Sequence, residues 1–127
     1  MLETAPVCPS IAVTDLDRAL KFYTEGLGLK LQHKDEQTAL LQAGHGTMLL
    51  LYWRPNPPVA DHTLAGFAVE NIEAVVAELK ARGVPFEEYD LPNLKTDNSI
   101  AVWGDDKSAW FKDPDGNIFA LHQGDQR

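Results

Sequence analysis

The sequence is poor in cysteine, in basic residues and in long apolar runs, and each shortage excludes a class of protein. Cys8 is the only cysteine among 127 residues, so an intrachain disulfide is impossible and we expect a reducing compartment, the cytoplasm. Eleven Lys and Arg stand against nineteen Asp and Glu, which gives a formal charge of -8. Nucleic acids and anionic lipid surfaces bind clustered basic residues, so we expect neither as a partner. No apolar run is long enough to cross a bilayer.

The residues that are abundant are those of a globular domain. Hydrophobic residues make up 44% of the chain and charged residues 24%, proportions typical of a protein with one packed core. A length of 127 residues fits one ordinary domain and excludes two large ones. We therefore expect residues 1–127 to form a single domain.

Two stretches of the chain carry the same strand and helix signals, 56 residues apart. Asp15 and Asn71 are suitable N-cap residues, because a short side-chain oxygen accepts a hydrogen bond from the first helical turn. Apolar residues then recur at i, i+3, i+4 and i+7, which is one face of a helix. We expect the helices to end at glycine, at Gly26 and Gly28 in the first copy and Gly83 in the second. The matched positions are Val13, Asp15, Leu16, Ala19, Leu20 and Tyr23, and Val69, Asn71, Ile72, Val75, Val76 and Leu79.

Each copy then continues with strand-like stretches. Residues 29–33 and 84–88 follow the two helices, and the hydrophobic strands 47–53 and 117–123 close the two halves. The closing strands are 70 residues apart, whereas the helices are 56 apart. The larger offset predicts an insertion in the second half, before its last hairpin.

The insertion and a linker complete the predicted organisation. Residues 89–107 contain the insertion, which forms either a lid or a surface loop followed by an extra strand at 99–103. Residues 54–63 include three prolines and are typical of an extended linker. The sequence thus predicts two βαβββ modules, 8–53 and 64–123, that pack as one unit about a pseudo-twofold axis.

Two motifs carry a resemblance to a known family. The first is the stretch 13–23 with the Gly-Leu-Gly-Leu that follows it at 26–29, and the second is Trp-Phe-Lys-Asp-Pro-Asp-Gly-Asn at 110–117. Together with the duplicated βαβββ plan, they make residues 8–123 similar to the vicinal oxygen chelate superfamily of glyoxalases, bleomycin-resistance proteins and extradiol dioxygenases. The resemblance implies an α+β fold in which a curved mixed sheet surrounds a small-molecule cleft, and it implies a homodimer.

In metal-dependent relatives, four cleft-facing side chains from the first and last strand of each module bind a divalent ion. The equivalent positions here are Cys8, Leu50, Leu64 and Ala120. Three of these side chains cannot ligate a metal, and the thiol has no second ligand beside it. His33, His45 and His62 lie at a strand end, a turn and the linker, and their spacing matches no zinc motif. We therefore predict neither a metal nor another cofactor.

Strand alternation predicts which side chains share the cleft with these four positions. The resulting surface is mostly apolar, as small-molecule sites commonly are, and suits a flat or aromatic ligand. The tryptophans Trp53, Trp103 and Trp110 either stack on that ligand or belong to the core or an interface. Lys112 lies on the same face of the predicted sheet as Trp110, but the sequence does not show whether this is the cleft face. The predicted cleft residues are Cys8, Ser10, Ala12, Met48, Leu50, Tyr52, Leu64, Gly66, Ala68, Trp110, Ile118, Ala120 and His122.

Two polar cleft residues are candidates for catalysis. Histidine titrates near neutral pH and suits acid-base chemistry, but we favour the alternative that His122 is a strand-end residue bonded to backbone. Cys8 is a nucleophile only if a base activates it, and otherwise is a small buried hydrophobe. Three functions follow: a metal-free protein that binds a small, partly aromatic molecule, as in the bleomycin-resistance branch; a metal-dependent glyoxalase-type lyase or isomerase, or dioxygenase; and a metal-free lyase or isomerase that uses His122 or Cys8. We favour the first.

Overall fold

The computed structural model describes residues 1–124. The chain divides into two compact units, Met1–Pro58 and Val59–Arg127, and the boundary lies within the proline-containing segment. The described residues of each unit form a four-stranded mixed sheet with a helix, and the second unit adds a two-stranded hairpin. The predicted α+β fold with two modules is therefore confirmed. None of the helices in residues 1–124 combines the length and apolar character that a membrane span needs.

The first unit follows the βαβββ order. In its sheet, the order of strands is β1-β4-β3-β2, with β1 parallel to β4 and the other neighbours antiparallel. Helix α1 continues directly as one π-helical turn. The elements are β1 (Ser10–Val13), α1 (Leu16–Lys21), the π turn (Phe22–Gly26), β2 (Lys30–Lys34), β3 (Thr38–Gln42) and β4 (Met48–Trp53).

Local chemistry sets the ends of α1. The Asp15 side chain accepts a hydrogen bond of 3.0 Å from the Arg18 N–H, which confirms the predicted N-cap. Gly28 follows the π turn with φ of 81°, a backbone conformation that glycine adopts without steric cost. One face of the sheet packs toward α1 and forms the core of this unit. The buried residues are Ile11, Val13, Leu16, Ala19, Tyr23, Ala39, Leu41, Leu49 and Leu51.

The second unit repeats this topology. Its four-stranded sheet has the order β5-β10-β9-β8, in which β5 is parallel to β10. Within residues 1–124, the short strands β6 and β7 pair only with each other. The elements are β5 (Thr63–Ala68), α2 (Ile72–Ala81), β6 (Asp90–Leu91), β7 (Leu94–Lys95), β8 (Ala101–Trp103), β9 (Asp106–Lys112) and β10 (Ile118–Gln123).

Helix α2 is tied to the sheet at its first turn. Asn71 accepts a hydrogen bond from the Ala74 N–H at 3.1 Å, as predicted for an N-cap. The Gln123 side chain accepts another from the Ile72 N–H at 2.8 Å, so the end of β10 is bonded to the start of α2. The apolar face of the helix covers one side of the sheet. The core of this unit includes Ile72, Val76, Leu79, Val84, Ala109, Phe111, Phe119 and Leu121.

The turn between β9 and β10 is built around one carboxylate. Asp113 accepts hydrogen bonds from the Asp115 N–H and from the backbone and side chain of Asn117, at 2.8 to 2.9 Å. Gly116 has φ of 86°. These contacts give the Asp-Pro-Asp-Gly-Asn motif its structural role, which is to reverse the chain tightly.

The prediction of a continuous strand at residues 84–88 is wrong. Phe86 forms an isolated bridge with Phe111 at one end of β9, whereas β8 pairs with the other end. This edge of the sheet is therefore split, and residues 88–100 leave it between the two halves. The segment 88–100 is the insertion that the sequence predicted within 89–107. The extra strand predicted at 99–103 is β8. The strand predicted at 29–33 is β2, one residue later.

Candidate functional site

The predicted cleft residues of the first unit lie on the sheet face opposite α1. Leu50 pairs with Ser10, and Tyr52 pairs with Ala12, so alternation places them on one face. Cys8 lies outside this group. It precedes β1, which begins after Pro9, and its thiol is exposed, so the interpretation as a small buried hydrophobe is wrong.

The second unit brings the other predicted residues together. In β10, Ala120 pairs with Gly66 on one side and with Trp110 on the other, and His122 pairs with Ser108. Directly paired residues point to the same side of a sheet. Trp110 therefore shares a face with Ala120 and His122, away from α2, and Lys112, paired with Ile118, shares it too. We call the face defined by Gly66, Ser108, Trp110, Ala120 and His122 the Trp110 face.

Three aromatic rings meet on this face. The centroid of Trp110 lies 5.5 Å from that of Tyr89 and 6.3 Å from that of Trp103, both in edge-to-face geometry. Such contacts are favourable because the positive ring edge meets the negative ring face. Trp103 remains 46% exposed. We call Tyr89, Trp103 and Trp110 the aromatic cluster, and its half-exposed member offers ring surface to a ligand.

Tyr89 is the member that the sequence did not reveal. It lies in the insertion, whose presence the offset predicted, but no local pattern distinguishes it from other loop residues. Burial raises the pKa of its hydroxyl above the ordinary value of 10.0, and the Glu87 carboxylate raises it further, against a smaller opposite effect of Lys112. Tyr89 is therefore a neutral phenol, able to donate a hydrogen bond, at physiological pH.

Three polar side chains lie next to the aromatic cluster. Ser108 Oγ is 3.1 Å from His122 Nδ1, and His122 Nε2 is 3.7 Å from Asp106 Oδ1. The His122 and Asp106 side chains are 30% and 32% exposed, whereas Ser108 is buried. His122, predicted as a candidate from its position, thus contacts two side chains. We call Ser108, His122 and Asp106 the polar array.

Gly124 permits the close approach of the polar array to the end of β10. A Cβ atom at this position would overlap Asp106 Oδ1 and lie 3.0 Å from His122 Nε2. Only glycine leaves room for the carboxylate and the imidazole to lie beside the backbone there. The geometry of the polar array therefore depends on a residue that has no side chain.

A groove lies on the surface of each unit. The groove of the second unit, with a volume of about 360 Å³, lies between the β6–β7 hairpin and β8 and includes Trp103. Its other lining residues are Pro92, Asn93, Leu94, Lys95 and Val102. The groove of the first unit, of about 340 Å³, lies at the start of α1 beside Trp53, whose Nε1 donates to the Thr14 carbonyl at 3.1 Å.

The four ligand-equivalent positions do not fit a divalent metal. Leu50 and Ala120 lie in sheet interiors and Leu64 lies near the start of β5, and none has a ligating atom. No three His, Cys, Asp or Glu side chains converge as a metal site within residues 1–124. His33 is on the exposed strand β2, and His45 is in an exposed turn with φ of 56°.

Comparison with known proteins relates this architecture to a large family. The sequence model of the Glyoxalase/Bleomycin resistance protein/Dioxygenase superfamily matches residues 5–121. The structure is similar to TnmS3, an antibiotic binding protein from Streptomyces, with 26% identity over 98% of this chain and 99% of that one, and a TM-score of 0.67.

Two further solved structures share the fold. FosX, a fosfomycin resistance protein from Listeria monocytogenes, is 16% identical over 96% of this chain and 94% of its own, with a TM-score of 0.75. A glyoxalase/bleomycin resistance protein/dioxygenase from Alicyclobacillus acidocaldarius is 20% identical over 97% and 93%, with a TM-score of 0.70. Since the family match covers nearly the whole sequence, the chain belongs to the glyoxalase, bleomycin resistance protein and dioxygenase superfamily.

Proposed function

We propose that the protein binds a small, partly aromatic molecule on the Trp110 face. The observation that carries this proposal is the aromatic cluster, in which Trp103 keeps 46% of its surface exposed beside Trp110. Exposed aromatic surface binds flat molecules through dispersion and the hydrophobic effect. The similarity to TnmS3, described as an antibiotic binding protein, supports a small-molecule ligand.

We further propose that this binding needs no metal. The four ligand-equivalent positions supply a single thiol, and stacking requires no Lewis acid. Elemental analysis of protein purified without chelator shows whether a metal is bound. Measurement of ligand binding before and after dialysis against a chelating agent shows whether binding needs one. We expect unchanged affinity. A stoichiometric divalent ion that survives dialysis and is needed for binding would contradict a metal-free site.

Calorimetric titration with 1-naphthalenemethanol, a flat neutral probe, tests the aromatic site. We expect Trp110→Ala to weaken binding about three- to tenfold, because an aromatic contact contributes about 0.5–1.5 kcal/mol. Trp53→Ala is the matched control, since Trp53 is a half-exposed tryptophan in the other unit. Equal affinities for the two variants would remove the aromatic cluster from the site.

The polar array favours one alternative function, a metal-free lyase or isomerase. An imidazole between a hydroxyl and a carboxylate can accept and return a proton, which is the task of an acid-base catalyst. If binding is the function, His122→Ala changes ligand affinity and abolishes no turnover. A substrate screen in which the folded His122→Ala protein loses an activity that the natural chain has would favour the enzyme. Neither the binding function nor this enzymatic alternative uses the metal chemistry of glyoxalases or dioxygenases.

We also propose that the protein is located in the cytoplasm, because the free Cys8 thiol is compatible with a reducing compartment.

The resemblance to the bleomycin-resistance branch leads us to propose a homodimer. Sedimentation equilibrium across a concentration series tests the oligomeric state. We expect a mass of about twice the 14.1 kDa of one chain. A monomer at all concentrations would contradict the proposal.

A further inference from the structure

The groove of the second unit adjoins the aromatic cluster, because Trp103 belongs to both. Val102 and Trp103 of β8 line one side of the groove, and residues of the β6–β7 hairpin line the other. The two β8 side chains are 58% and 46% exposed, so apolar surface faces solvent here. Sites for small molecules commonly have volumes of about 300–1,000 Å³, a range that includes this groove. The groove therefore has room for a part of the ligand that extends beyond the Trp103 ring.

Lys95 gives the groove a positive charge. It is the one charged side chain among the described residues that line it, and the others are Pro92, Asn93, Leu94, Val102 and Trp103. Lys95 is exposed, and within residues 1–124 no carboxylate forms an ion pair with it. The two lysines of β9, Lys107 and Lys112, are by contrast paired with glutamates at 2.6 and 3.3 Å. The ammonium group of Lys95 is thus available to a ligand.

Two negative charges oppose an anionic ligand and limit its advantage. Asp90 lies opposite Lys95 in the hairpin, with Cβ atoms about 4.5–5.5 Å apart, although it is outside the described lining of the groove. The formal charge of -8 repels anions at long range, but salt screens this repulsion beyond about 8 Å at physiological ionic strength. A direct contact with Lys95 is screened less. We therefore expect a modest preference for an anion.

We propose that the ligand of the aromatic cluster is an aromatic carboxylate, whose ring packs on Trp103 and whose carboxylate binds Lys95 in the groove. This inference rests on the proposed binding function and specifies the class of ligand. The Lys95 ammonium has three donors, and its hydrogen bonds to a carboxylate are charge-assisted. Asn93, in the turn between β6 and β7, supplies an amide that can donate to the second oxygen.

Three naphthalene probes that differ in one substituent separate charge from stacking. At neutral pH, 1-naphthoate is an anion, 1-naphthalenemethanol is neutral and 1-naphthylmethylamine is a cation. Calorimetric titrations of the full chain at physiological ionic strength should rank their affinities in that order. We expect the naphthoate to bind about three- to fivefold tighter than the alcohol, because an exposed ion pair contributes little more. This comparison uses the natural protein, so it does not depend on the folding of a variant.

Three variants then locate the preference. Lys95→Gln removes the charge, and we expect the naphthoate to lose its advantage while the alcohol binds as before. Lys95→Arg keeps the charge and should keep the preference. Lys30→Gln is the matched control, because it removes an exposed lysine from β2 in the other unit. A preference that survives in Lys95→Gln, is lost in Lys95→Arg, or is lost equally in Lys30→Gln would overturn the assignment to Lys95.

The remaining outcomes distinguish this inference from the function beneath it. Equal affinity for the naphthoate and the alcohol, or tightest binding of the amine, overturns the carboxylate site but leaves the aromatic site intact. Binding of none of the probes overturns both proposals. Tighter binding of the naphthoate that disappears in Lys95→Gln and persists in Lys95→Arg supports both.

Discussion

The Glu88 carboxylate accepts hydrogen bonds from both the backbone N–H and the hydroxyl of Ser99, at 3.1 and 2.7 Å. Thr96 Oγ1 donates to the same carboxylate at 2.6 Å and accepts from the Tyr89 N–H at 2.8 Å. Ser99 is buried and has φ of 72°, a conformation uncommon outside glycine. Glu88 thus closes the insertion at its base and fixes Tyr89 beside Trp110.

Removal of this carboxylate should loosen the insertion. In Glu88→Ala, we expect faster hydrogen exchange of the amides of residues 89–99 and weaker binding of 1-naphthalenemethanol, because Tyr89 loses its fixed position. Glu78→Ala is the matched control, since it removes a glutamate that pairs with Arg82 on the surface of α2. Unchanged exchange in residues 89–99 of Glu88→Ala would show that the insertion is held by other contacts.

The same carboxylate should make stability depend on pH. Hydrogen bonds from Thr96 and then Ser99 hold the pKa of Glu88 below its ordinary value of 4.5. A lowered pKa in the folded state means that the stabilisation is present above about pH 4.5 and is lost as the pH falls through the folded pKa. Denaturant unfolding between pH 6 and pH 3 measures this loss.

Other carboxylates contribute to the same pH range. Lys107 lowers the pKa of Glu73, and backbone and hydroxyl donors lower that of Asp35. The effect of Glu88 is therefore measured as the difference in the free energy of unfolding between the natural chain and Glu88→Gln. This difference should shrink as the pH falls. A difference that stays constant from pH 6 to pH 3 would contradict the assigned hydrogen bonds.

Gly124→Ala should disturb the polar array without unfolding the protein. The new Cβ would overlap Asp106 Oδ1, the end of a flexible side chain, so the carboxylate moves away from His122. We expect a stability change below about 1 kcal/mol and weaker binding of 1-naphthalenemethanol, because His122 and Asp106 lie next to the aromatic cluster. Gly44→Ala is the control, because no heavy atom lies within 4 Å of its added Cβ. Unchanged affinity for 1-naphthalenemethanol in Gly124→Ala would separate Gly124 from the site.

Phe111→Ala should cost the most stability of these changes. The ring is fully buried between Phe86 and Phe119, with centroids 5.6 Å away on both sides. Truncation of a buried phenylalanine leaves a cavity and costs about 3–5 kcal/mol. Val102→Ala, at a side chain 58% exposed, should cost less than about 0.5 kcal/mol. Denaturant midpoints of the two variants give the comparison.

The sequence predicted the elements whose signals are local. Asp15 and Asn71 cap their helices because each bonds within its own first turn. Strand alternation likewise placed Ala120 and His122 on one face, since every strand has a period of two. The family was predicted because its two motifs are contiguous stretches of the chain.

The remaining features depend on pairing between distant residues. Residues 84–88 have strand-like composition, but only Phe86 bridges to β9, and the other end of β9 pairs with β8 instead. The contact of His122 with Ser108 depends on the register between β9 and β10. Neither register nor the position of Tyr89 is encoded by a local pattern, so the polar array and the aromatic cluster emerged only in three dimensions.

The split edge of the second sheet also bears on how the protein avoids aggregation. A long, regular edge strand exposes unpaired backbone groups to which another chain can add, and short or irregular edges prevent this. Strand β8 has only three residues, and the insertion interrupts the edge between Phe86 and β8. In the first sheet, the edge strand β2 has Lys30 and Lys34 at its ends and a register shift between Leu31 and His33. Shortening the insertion to restore a continuous strand would therefore favour fibrillar assembly.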